Sequence, residues 1–411
     1  MKRNCIIGQS GGPTIAINAS LAGIIHRAKS SKEFNHVYGM INGIKGLLDG
    51  QYMDLLEEFD NGEKINALKQ TPAMYLGSCR FKLPTHQDNI QVYEDLFKIL
   101  TDLVITDFFY IGGNDSMDTV MKLDEYARHI QSPIHFIGIP KTIDNDLMGT
   151  DHTPGFGSAA KYVATSILEV VHDSLIYQLQ SVTIIEIMGR NAGWLTAAAA
   201  LARNEYNEAP DLIYLPEVVF DKDKFLQDIH EVFKKKRCVV IAVSEGIKDK
   251  DGHFLDDDSK YAKKDAFGHV LHSGTGKMLE SLVFKEFGCK VRSIELNVLQ
   301  RCAMHIGSKT DLNESFVVGQ KAIETALEGK SGQVMGFKRL CNDPYHIDYI
   351  SSDVRDIANL EQKIPRNWIN EAGNDINQEL YDYLYPLIQG EVHIQYKNGI
   401  PAYYSCKHLQ K

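Results

Sequence analysis

The chain has 411 residues, of which 44% are hydrophobic and 24% are charged. This length exceeds the usual size of one domain, so we expect at least two lobes, and the composition excludes a largely disordered chain. The formal net charge of -10 argues against a surface that binds nucleic acid and against attachment to an anionic membrane.

The N terminus and the cysteines indicate the compartment. The apolar run after Asn4 is too short for a signal peptide, and no run of about 18 apolar residues occurs later. The seven cysteines are dispersed and contain no Cys-x-x-Cys pair, so neither a disulfide framework nor a zinc site is indicated. We therefore expect a soluble cytoplasmic enzyme.

The first third of the chain alternates short apolar runs with longer helical patterns, which is typical of a parallel sheet covered by helices. Strands are predicted at residues 5–7, 108–111 and 134–139, and each ends at a polar loop. Because the carboxyl ends of parallel strands meet at one edge of a sheet, we expect these three loops to converge on a ligand.

A second α/β pattern begins near Thr150. Its predicted strands are residues 182–187, 212–214 and 238–243, and its predicted helices lie around residues 161–175, 195–202 and 225–234. The part of the chain after about residue 342 is interpreted as an accessory extension.

The loop Gly8-Gln9-Ser10-Gly11-Gly12 joins the first predicted strand to a helix. Its glycines would let backbone N–H groups approach an anion at the helix N terminus. A tight turn that needs positive φ angles is an equally good interpretation of this motif by itself. The loop has neither the Walker spacing nor the dinucleotide-binding pattern.

Residues 273–278 resemble the end of a Walker loop. They lack its leading glycine and its final Ser or Thr, so a phosphate site there is the minor interpretation.

The loop Gly112-Gly113-Asn114-Asp115-Ser116 follows the second predicted strand. Its backbone could donate to phosphate, and its carboxylate suits magnesium, which prefers a few hard oxygen ligands together with the phosphates of a substrate. The alternative is a helix cap formed by Asp115 or Ser116, and in isolation that alternative is favoured.

Residues 141–146 form the most informative loop. Two carboxylates, Asp144 and Asp146, lie beside Lys141 and the hydroxyl of Thr142. This set supplies a proton acceptor, a charge on the metal side and a cation for a transferring phosphoryl group. A solvated turn would tolerate the same residues, but the position directly after an apolar strand disfavours that interpretation.

Five stretches occur in the order found in the phosphofructokinase family, which the sequence resembles across residues 4–345. The stretches are residues 10–12, 77–81, 112–113, 140–146 and 186–190. The resemblance implies an α/β fold with two Rossmann-like three-layer α/β/α lobes and a C-terminal extension.

The resemblance also implies how the chain is divided. The lobe at residues 1–142, completed by residues 302–345, is expected to bind the phosphoryl donor. Residues 143–301 are expected to bind the sugar phosphate, and residues 346–411 form the extension. The implied enzyme is a homodimer or homotetramer that phosphorylates the 1-hydroxyl of fructose 6-phosphate with magnesium, close to reversibly.

By the same resemblance, Asp144 is the general base for the 1-hydroxyl, and Asp146 assists by binding sugar or metal. Lys141 and Arg190 complete the implied catalytic residues.

The implied donor site consists of backbone groups, one arginine and magnesium. It uses Gly11, Gly12, Gly113 and Arg80, and the magnesium ion neutralises phosphate charge.

The implied sugar site lies in the second lobe and at the loop that enters it. Its residues are Thr142, Asp144, Met188, Gly189, Arg190 and Glu245. Arg292 and Arg301 keep the family's spacing of nine residues for the 6-phosphate, and arginine suits phosphate because it contacts two oxygens at once. A surface salt bridge is the alternative for Arg292, and core packing is the alternative for Met188.

Two positions decide which donor the resemblance implies. Members that use ATP carry glycine at the equivalents of Asp115 and Lys141, whereas members that use pyrophosphate carry Asp and Lys. A carboxylate at 115 would crowd and repel the α-phosphate of a nucleotide, and Lys141 can neutralise the compact donor that remains. We therefore expect pyrophosphate as the donor.

Three positions depart from the family's pattern. Asn114 stands where an aspartate is usual, so Asp115 is expected to carry more of the metal site. Val298 replaces a histidine that binds the sugar phosphate in some ATP-using members, and Ser181 replaces an arginine supplied by a neighbouring subunit. A phosphate pocket shared between subunits is therefore not assumed.

Two other functions stay open at this point. One is an ATP-dependent phosphofructokinase, and the other is a non-catalytic regulator that binds sugar phosphate on the same fold. The retention of Asp144, Asp146 and Arg190 together argues against the regulator. Sedoheptulose 7-phosphate also stays open as an acceptor.

Overall fold

Two sheets built mainly from parallel strands organise the fold, which a computed structural model describes for residues 2–79, 81–176, 178–255, 263–264, 270–271 and 274–410. The strands, in chain order, are β1 (Arg3–Gln9), β2 (Phe34–Met40), β3 (Tyr52–Asp54), β4 (Asp107–Gly112), β5 (His135–Pro140), β6 (Ser181–Ile187), β7 (Leu212–Tyr214), β8 (Cys238–Ser244), β9 (Lys263–Lys264), β10 (Val270–Leu271), β11 (Lys290–Glu295), β12 (Gln333–Asn342), β13 (Tyr345–Asp353), β14 (Tyr396–Lys397) and β15 (Ile400–Pro401).

Helices cover both sheets. The α-helices are α1 (Ile17–Ser31), α2 (Gly43–Leu48), α3 (Leu55–Glu58), α4 (Gly62–Lys69), α5 (Ile90–Asp102), α6 (Asn114–His129), α7 (Phe156–Ser174), α8 (Trp194–Ala197), α9 (Lys222–Phe233), α10 (Thr275–Phe287), α11 (Lys309–Leu327) and α12 (Gln378–Leu384). Short 3-10 turns lie at Ala198–Ala202, Asn297–Arg301, Met304–Ile306, Val354–Asp356, Arg366–Trp368, Tyr385–Ile388 and Lys407–Gln410. Within the described ranges, every helix is too short or too polar to cross a membrane.

The first sheet has the strand order β13-β12-β5-β4-β1-β2-β3. Its inner strands are parallel, whereas β3 and β13 pair antiparallel at the two edges. The strands predicted at 5–7, 108–111 and 134–139 are β1, β4 and β5. These three strands are neighbours, so the loops that follow them leave the sheet side by side.

The first sheet is covered on both faces because its side chains alternate along each strand. Cys5 and Ile7 of β1 pack in one hydrophobic layer with α1 and α11. Ile6, which lies between them, packs in the opposite layer with α5 and α6. The predicted three-layer α/β/α arrangement is confirmed for this lobe.

Helices α1 and α11 meet at two glycines. A Cβ atom at Gly23 would lie 1.9 Å from the carbonyl oxygen of Phe316, and one at Gly319 would lie 2.1 Å from that of Ser20. Only glycine permits backbones to approach this closely. The contact brings residues 309–327 back onto the first lobe, beside the helix that follows the Gly11 loop.

The second sheet is entirely parallel, with the order β11-β6-β8-β7. The predicted strands at 182–187, 212–214 and 238–243 are β6, β7 and β8. Ile185 and Ile187 pack against α7 on one face, and Ile184 packs against α9 and α10 on the other. Strand β11 was not predicted, because it is an edge strand whose exposed positions are charged or polar.

The C-terminal part of the chain contacts both lobes. Leu380 and Leu384 of α12 are buried in the core of the second lobe. Farther on, the hydroxyl of Tyr404 donates to Glu58 Oε1 at 2.7 Å, and Cys406 is buried in the core of the first lobe. The segment therefore ties the two lobes together.

A positively charged histidine is buried between the two lobes. His152 is 2% exposed, and its ring nitrogens lie 2.8 Å from Asp151 Oδ1 and 2.8 Å from Glu314 Oε2. Burial alone would lower the pKa of His152, but Glu314 and Asp151 together raise it to about 9. Both ring nitrogens donate in the charged form, which matches two carboxylate partners.

This arrangement predicts a pH-dependent stability. The pKa of His152 is raised from 6.5 to about 9 in the folded chain, so its contribution is fully present below pH 6.5 and lost as the pH rises through 9. That shift corresponds to about 3 kcal/mol of unfolding free energy. Denaturant unfolding of the wild type and His152→Gln at about pH 6 and about pH 9.5 measures it. An equally steep loss of stability in both proteins would contradict the assignment.

Candidate active site

The site lies where β1, β4 and β5 end. The N–H of Ser10, after β1, donates to the carbonyl oxygen of Ile111 at 2.9 Å, and the N–H of Lys141, after β5, donates to that of Gly112 at 2.9 Å. The three polar loops therefore lie against one another. In sheets of this kind, ligands bind outside the carboxyl ends of the strands, at the point where the strand order reverses.

The glycine loop is shaped by a lysine from the third loop. Gly11 has a φ angle of +80°, and a Cβ atom there would stand 3.0 Å from Lys141 Nζ. The same ammonium donates to the carbonyl oxygen of Gly12 at 2.8 Å. A Cβ atom at Gly12 would lie 3.1 Å from Nη1 of Arg301. Glycine is therefore needed both for the turn and for the approach of two cations.

Lys141 is the buried cation of the site. It is 3% exposed, and burial lowers its pKa to about 8. The carboxylates of Asp144 and Asp146 oppose this shift, whereas the charge of Arg301 adds to it. The ammonium form still predominates at neutral pH.

Asp144 is half-buried at the turn of the third loop, which we call the acidic loop (residues 141–147). Its N–H donates to Thr142 Oγ1 at 3.1 Å, and that hydroxyl donates to Asp144 Oδ2 at 3.3 Å. Burial raises the pKa of Asp144, while Thr142, Lys141, Arg190 and Arg301 hold it down. The carboxylate is therefore a stronger base than an exposed aspartate, with three cations close enough to influence it.

A residue that sequence reasoning missed fixes the acidic loop. Asn145 is 1% exposed and has a φ angle of +57°. Its Oδ1 accepts from the N–H of Thr153 at 2.9 Å, and its Nδ2 donates to the hydroxyl of Tyr383 at 2.8 Å. Asparagine tolerates this left-handed conformation, and its buried amide fixes the backbone between Asp144 and Asp146.

Asp146 and Glu245 are further carboxyl groups with high proton affinity. Burial, followed by the charges of Asp144 and Glu361, raises the pKa of Asp146 to about 7. Burial also raises the pKa of Glu245 to about 8, although its Oε1 accepts from the N–H of Gly189 at 3.3 Å. The charge of Asp144 contributes to the raised pKa of Glu245, so the two carboxyl groups lie near each other.

Two arginines offer donors for a ligand. The Nε atoms of Arg190 and Arg301 are buried, and neither has a hydrogen-bond partner among the described residues. A buried donor without a partner is costly unless a ligand or water satisfies it. Met188, two positions before Arg190, is half-buried and packs on the core of the second lobe, so it has the packing role considered above.

One predicted residue, Arg292, does not join this group within one chain. Arg292 is exposed on β11, where Nη1 donates to Asp173 Oδ2 at 3.1 Å. It lies level with Thr183, five positions before Met188, or roughly 16 Å along the strand direction. Within one chain it therefore forms the surface salt bridge considered as its alternative. Arg80 lies outside the described residues.

The two residues predicted to bind metal, Asn114 and Asp115, have different surroundings. Asp115 is exposed in the first turn of α6, and no side chain caps that helix, whose N-cap is Gly113. Asn114 Oδ1 accepts from the N–H of Asn359 at 3.1 Å, and its Nδ2 donates to the carbonyl oxygen of Leu360 at 2.8 Å. Both ends of the Asn114 amide are thus engaged by the C-terminal segment.

The donor set suits a metal ion that is bound mainly by phosphate. In the part of the chain that the structure describes, no three His, Cys, Asp or Glu side chains are grouped as a metal site. Magnesium commonly takes one or two carboxylates and completes its shell with phosphate and water. The exposed Asp115 and the half-buried Asp146 are oxygen ligands of that kind.

The Walker-like stretch has another role. Helix α10 begins within it, at Thr275, and the N–H of Gly276 donates to Glu186 Oε2 at 2.7 Å. The position that an anion would take at this helix end is therefore filled by a carboxylate of β6. Ser273 lies outside the described residues.

Comparison with known proteins agrees with this fold and site. Residues 4–325 match the family model described as phosphofructokinase. The chain belongs to the phosphofructokinase family. The family and fold predictions are thereby confirmed.

The names of individual relatives specify the phosphoryl donor. The chain is 40% identical to the pyrophosphate–fructose 6-phosphate 1-phosphotransferase of Halomonas elongata, over 97% of this chain and 95% of that protein. It is 39% identical to the protein of the same name from Xanthomonas campestris, over 99% of this chain and 96% of that protein. A crystal structure of the pyrophosphate-dependent phosphofructokinase from Nitrosospira multiformis matches with a TM-score of 0.88 and 37% identity, covering 98% of this chain and 96% of that chain.

Proposed function

We propose that this chain transfers a phosphoryl group from pyrophosphate to the 1-hydroxyl of fructose 6-phosphate. The products are fructose 1,6-bisphosphate and orthophosphate. The observation that carries the proposal is Lys141, a buried ammonium that touches the glycine loop at 2.8 Å and belongs to the same loop as Asp144. The names of the similar proteins from Halomonas and Xanthomonas support the same donor and acceptor.

Asp144 is the proton acceptor in this reaction. It takes the proton of the 1-hydroxyl as the sugar oxygen bonds to one phosphorus of pyrophosphate. The bond between that phosphorus and the bridging oxygen breaks, and orthophosphate leaves with the bridging oxygen. Burial raises the pKa of Asp144, which makes proton transfer to it more favourable than to an exposed aspartate.

The cations of the site stabilise the charge of the transferring group. Lys141 donates to the carbonyl oxygen of Gly12, and Nη1 of Arg301 lies near the same glycine. Preorganised positive groups of this kind are a main source of catalysis in phosphoryl transfer. Phosphofructokinases generally need a divalent metal ion; we propose magnesium, which would neutralise the phosphates with Asp115 and Asp146 as its protein ligands.

Selection of the donor rests on Asp115 and Lys141. A nucleotide carries an additional phosphate and an adenosine group, and the exposed carboxylate of Asp115 at the first turn of α6 would repel that phosphate. Pyrophosphate is compact enough to be neutralised by Lys141 and the metal ion. The broken and formed bonds are similar in energy, so the reaction is close to reversible.

The sugar is held by the second lobe. Gly189 and Arg190 follow β6, Glu245 follows β8, and the carboxyl of Glu245 is fixed by the N–H of Gly189. The buried Nε of Arg190 and the hydroxyl of Thr142 supply donors for sugar or phosphate oxygens. The role of Arg301 at the 6-phosphate stays a prediction from the sequence, because its Nη1 lies beside Gly12 of the donor loop.

The test is identification of the product. Purified protein is incubated with fructose 6-phosphate, pyrophosphate and magnesium, and the phosphorus species are followed by ³¹P NMR. We expect one new phosphomonoester and one orthophosphate for each pyrophosphate consumed, and the reverse reaction from fructose 1,6-bisphosphate and orthophosphate. Hydrolysis of pyrophosphate without a new ester would refute the proposal.

A cytoplasmic location and a homodimer or homotetramer stay predictions from the sequence.

A further inference from the structure

Residues 359–364 cross the active site from one lobe to the other, and we call them the cross-lobe strap. At one end, the N–H of Asn359 donates to Asn114 Oδ1 at 3.1 Å, and Asn114 Nδ2 donates to the carbonyl oxygen of Leu360 at 2.8 Å. Asn359 Nδ2 also donates to Asp118 Oδ1 at 3.0 Å. The first turn of α6, beside Asp115, is therefore fastened to the strap.

The middle of the strap holds the acidic loop. Glu361 and Leu147 form an antiparallel β-bridge, and the N–H of Gln362 donates to the carbonyl oxygen of Asp146 at 2.7 Å. These are backbone contacts, so they set the position of the loop without using its carboxylates.

The far end reaches the loop that carries Arg190. Asn191 Nδ2 donates to Glu361 Oε1 at 2.9 Å, and the indole N–H of Trp194 donates to the carbonyl oxygen of Gln362 at 3.0 Å. One short segment thus contacts the donor side, the proton acceptor's loop and the sugar side.

The hydrogen bonds at the first end of the strap depend on which side chain stands at position 114. An asparagine there both accepts from a backbone N–H and donates to a backbone carbonyl. An aspartate, the family's usual residue at this position, would keep the acceptor but place a second oxygen against the carbonyl of Leu360. Two acceptors facing each other repel, and the hydrogen bond would be lost.

We propose that Asn114 is a positioning residue in this chain, which fastens the cross-lobe strap over the acidic loop instead of binding metal. The kinetic part of this proposal rests on the proposed function, whereas its structural part does not. Reacting groups that are misplaced by a fraction of an ångström lose much of their rate, so loosening the strap lowers turnover without removing a reacting group.

The experiment compares Asn114→Asp and Asn114→Ala with the wild type. Hydrogen exchange is measured on the protein without substrates, in peptides that cover residues 359–364. Asn114→Ala, which loses both contacts, should speed exchange there by about tenfold, and Asn114→Asp, which loses only the contact with Leu360, should speed it by a smaller factor. Asn66→Asp, which adds the same charge at an exposed position of α4, is the matched control and should leave the strap unchanged.

Kinetics separate the two roles of residue 114. If Asn114 positions the strap, both variants lower kcat/KM by about tenfold, and the magnesium concentration for half-maximal rate is unchanged. If Asn114 binds metal, Asn114→Asp keeps full turnover and needs less magnesium, which overturns the proposal. Unchanged exchange of residues 359–364 in both variants overturns it as well. A wild type that is inactive with pyrophosphate and fructose 6-phosphate refutes the proposed function, while the exchange measurement still tests the strap.

Discussion

Replacing Asp144 with asparagine is expected to lower kcat by about 10²- to 10⁴-fold, the usual contribution of a general base. Asparagine has nearly the same shape and keeps the contact with Thr142, so the loop should retain its conformation. The amide cannot accept the proton of the 1-hydroxyl. Fructose 6-phosphate and pyrophosphate should therefore still bind, and steady-state kinetics with both substrates varied, together with direct binding measurements, test this.

The pH profile gives an independent check on the same residue. Burial raises the pKa of Asp144, and the charge of Lys141 opposes that shift. The active form is the carboxylate, so the rate should fall as the pH falls through this pKa. Lys141→Met removes the opposing charge and should move the fall to higher pH. If Asp144→Asn instead keeps more than a tenth of the wild-type kcat, the assignment of the base is wrong.

Replacing both Asp115 and Lys141 with glycine is expected to change the preferred donor from pyrophosphate toward ATP. Lys141 is almost fully buried against Gly12, whereas Asp115 is exposed at the first turn of α6. Two unit charges about 4 Å apart in a partly buried site interact by about 4 kcal/mol, so the ratio of kcat/KM for the two donors should change by about 10²- to 10³-fold. Initial rates at saturating fructose 6-phosphate measure this ratio.

The single variants serve as controls for that experiment. Lys141→Gly alone should weaken the use of pyrophosphate, and Asp115→Gly alone should lower the rate with pyrophosphate more than the rate with ATP, because it removes a metal ligand together with the repulsion of the nucleotide. Equal losses with both donors in every variant would show that the two residues support the fold and do not select the donor.

The convergence of the three loops could be predicted because it follows from local patterns and one rule of topology. Apolar runs of strand length end at glycine or acidic residues near positions 11, 112 and 144. Parallel strands that are neighbours present such ends at one edge. The structure brings Gly11, Gly12, Lys141 and Asp144 together there, as the sequence predicted.

The contacts that hold the site in place could not be predicted, because their partners are distant in the sequence. Asn145 is bound by Tyr383, which lies 238 positions farther along the chain. Asn114 is bound by Asn359 and Leu360, 245 and 246 positions away. No local periodicity relates such residues. The C-terminal segment therefore looked like an accessory extension, although it touches the acidic loop.

For Arg292, spacing in the sequence was a poor guide to position in the structure. Its spacing from Arg301 agrees with the family, but Arg292 lies within the edge strand β11, where it pairs with Asp173, and Arg301 ends a 3-10 turn beyond that strand. Equal spacing in sequence does not place two side chains in one pocket when the strand end falls between them.

The most direct measurement is the rate of fructose 1,6-bisphosphate formation by the wild type with either donor. Purified protein receives fructose 6-phosphate and magnesium, with pyrophosphate or ATP supplied in turn over a range of concentrations. The structure leads us to expect a kcat/KM for pyrophosphate at least about a hundredfold above that for ATP, since one carboxylate and one buried ammonium distinguish the donors. A protein that uses ATP efficiently and leaves pyrophosphate untouched would contradict the account.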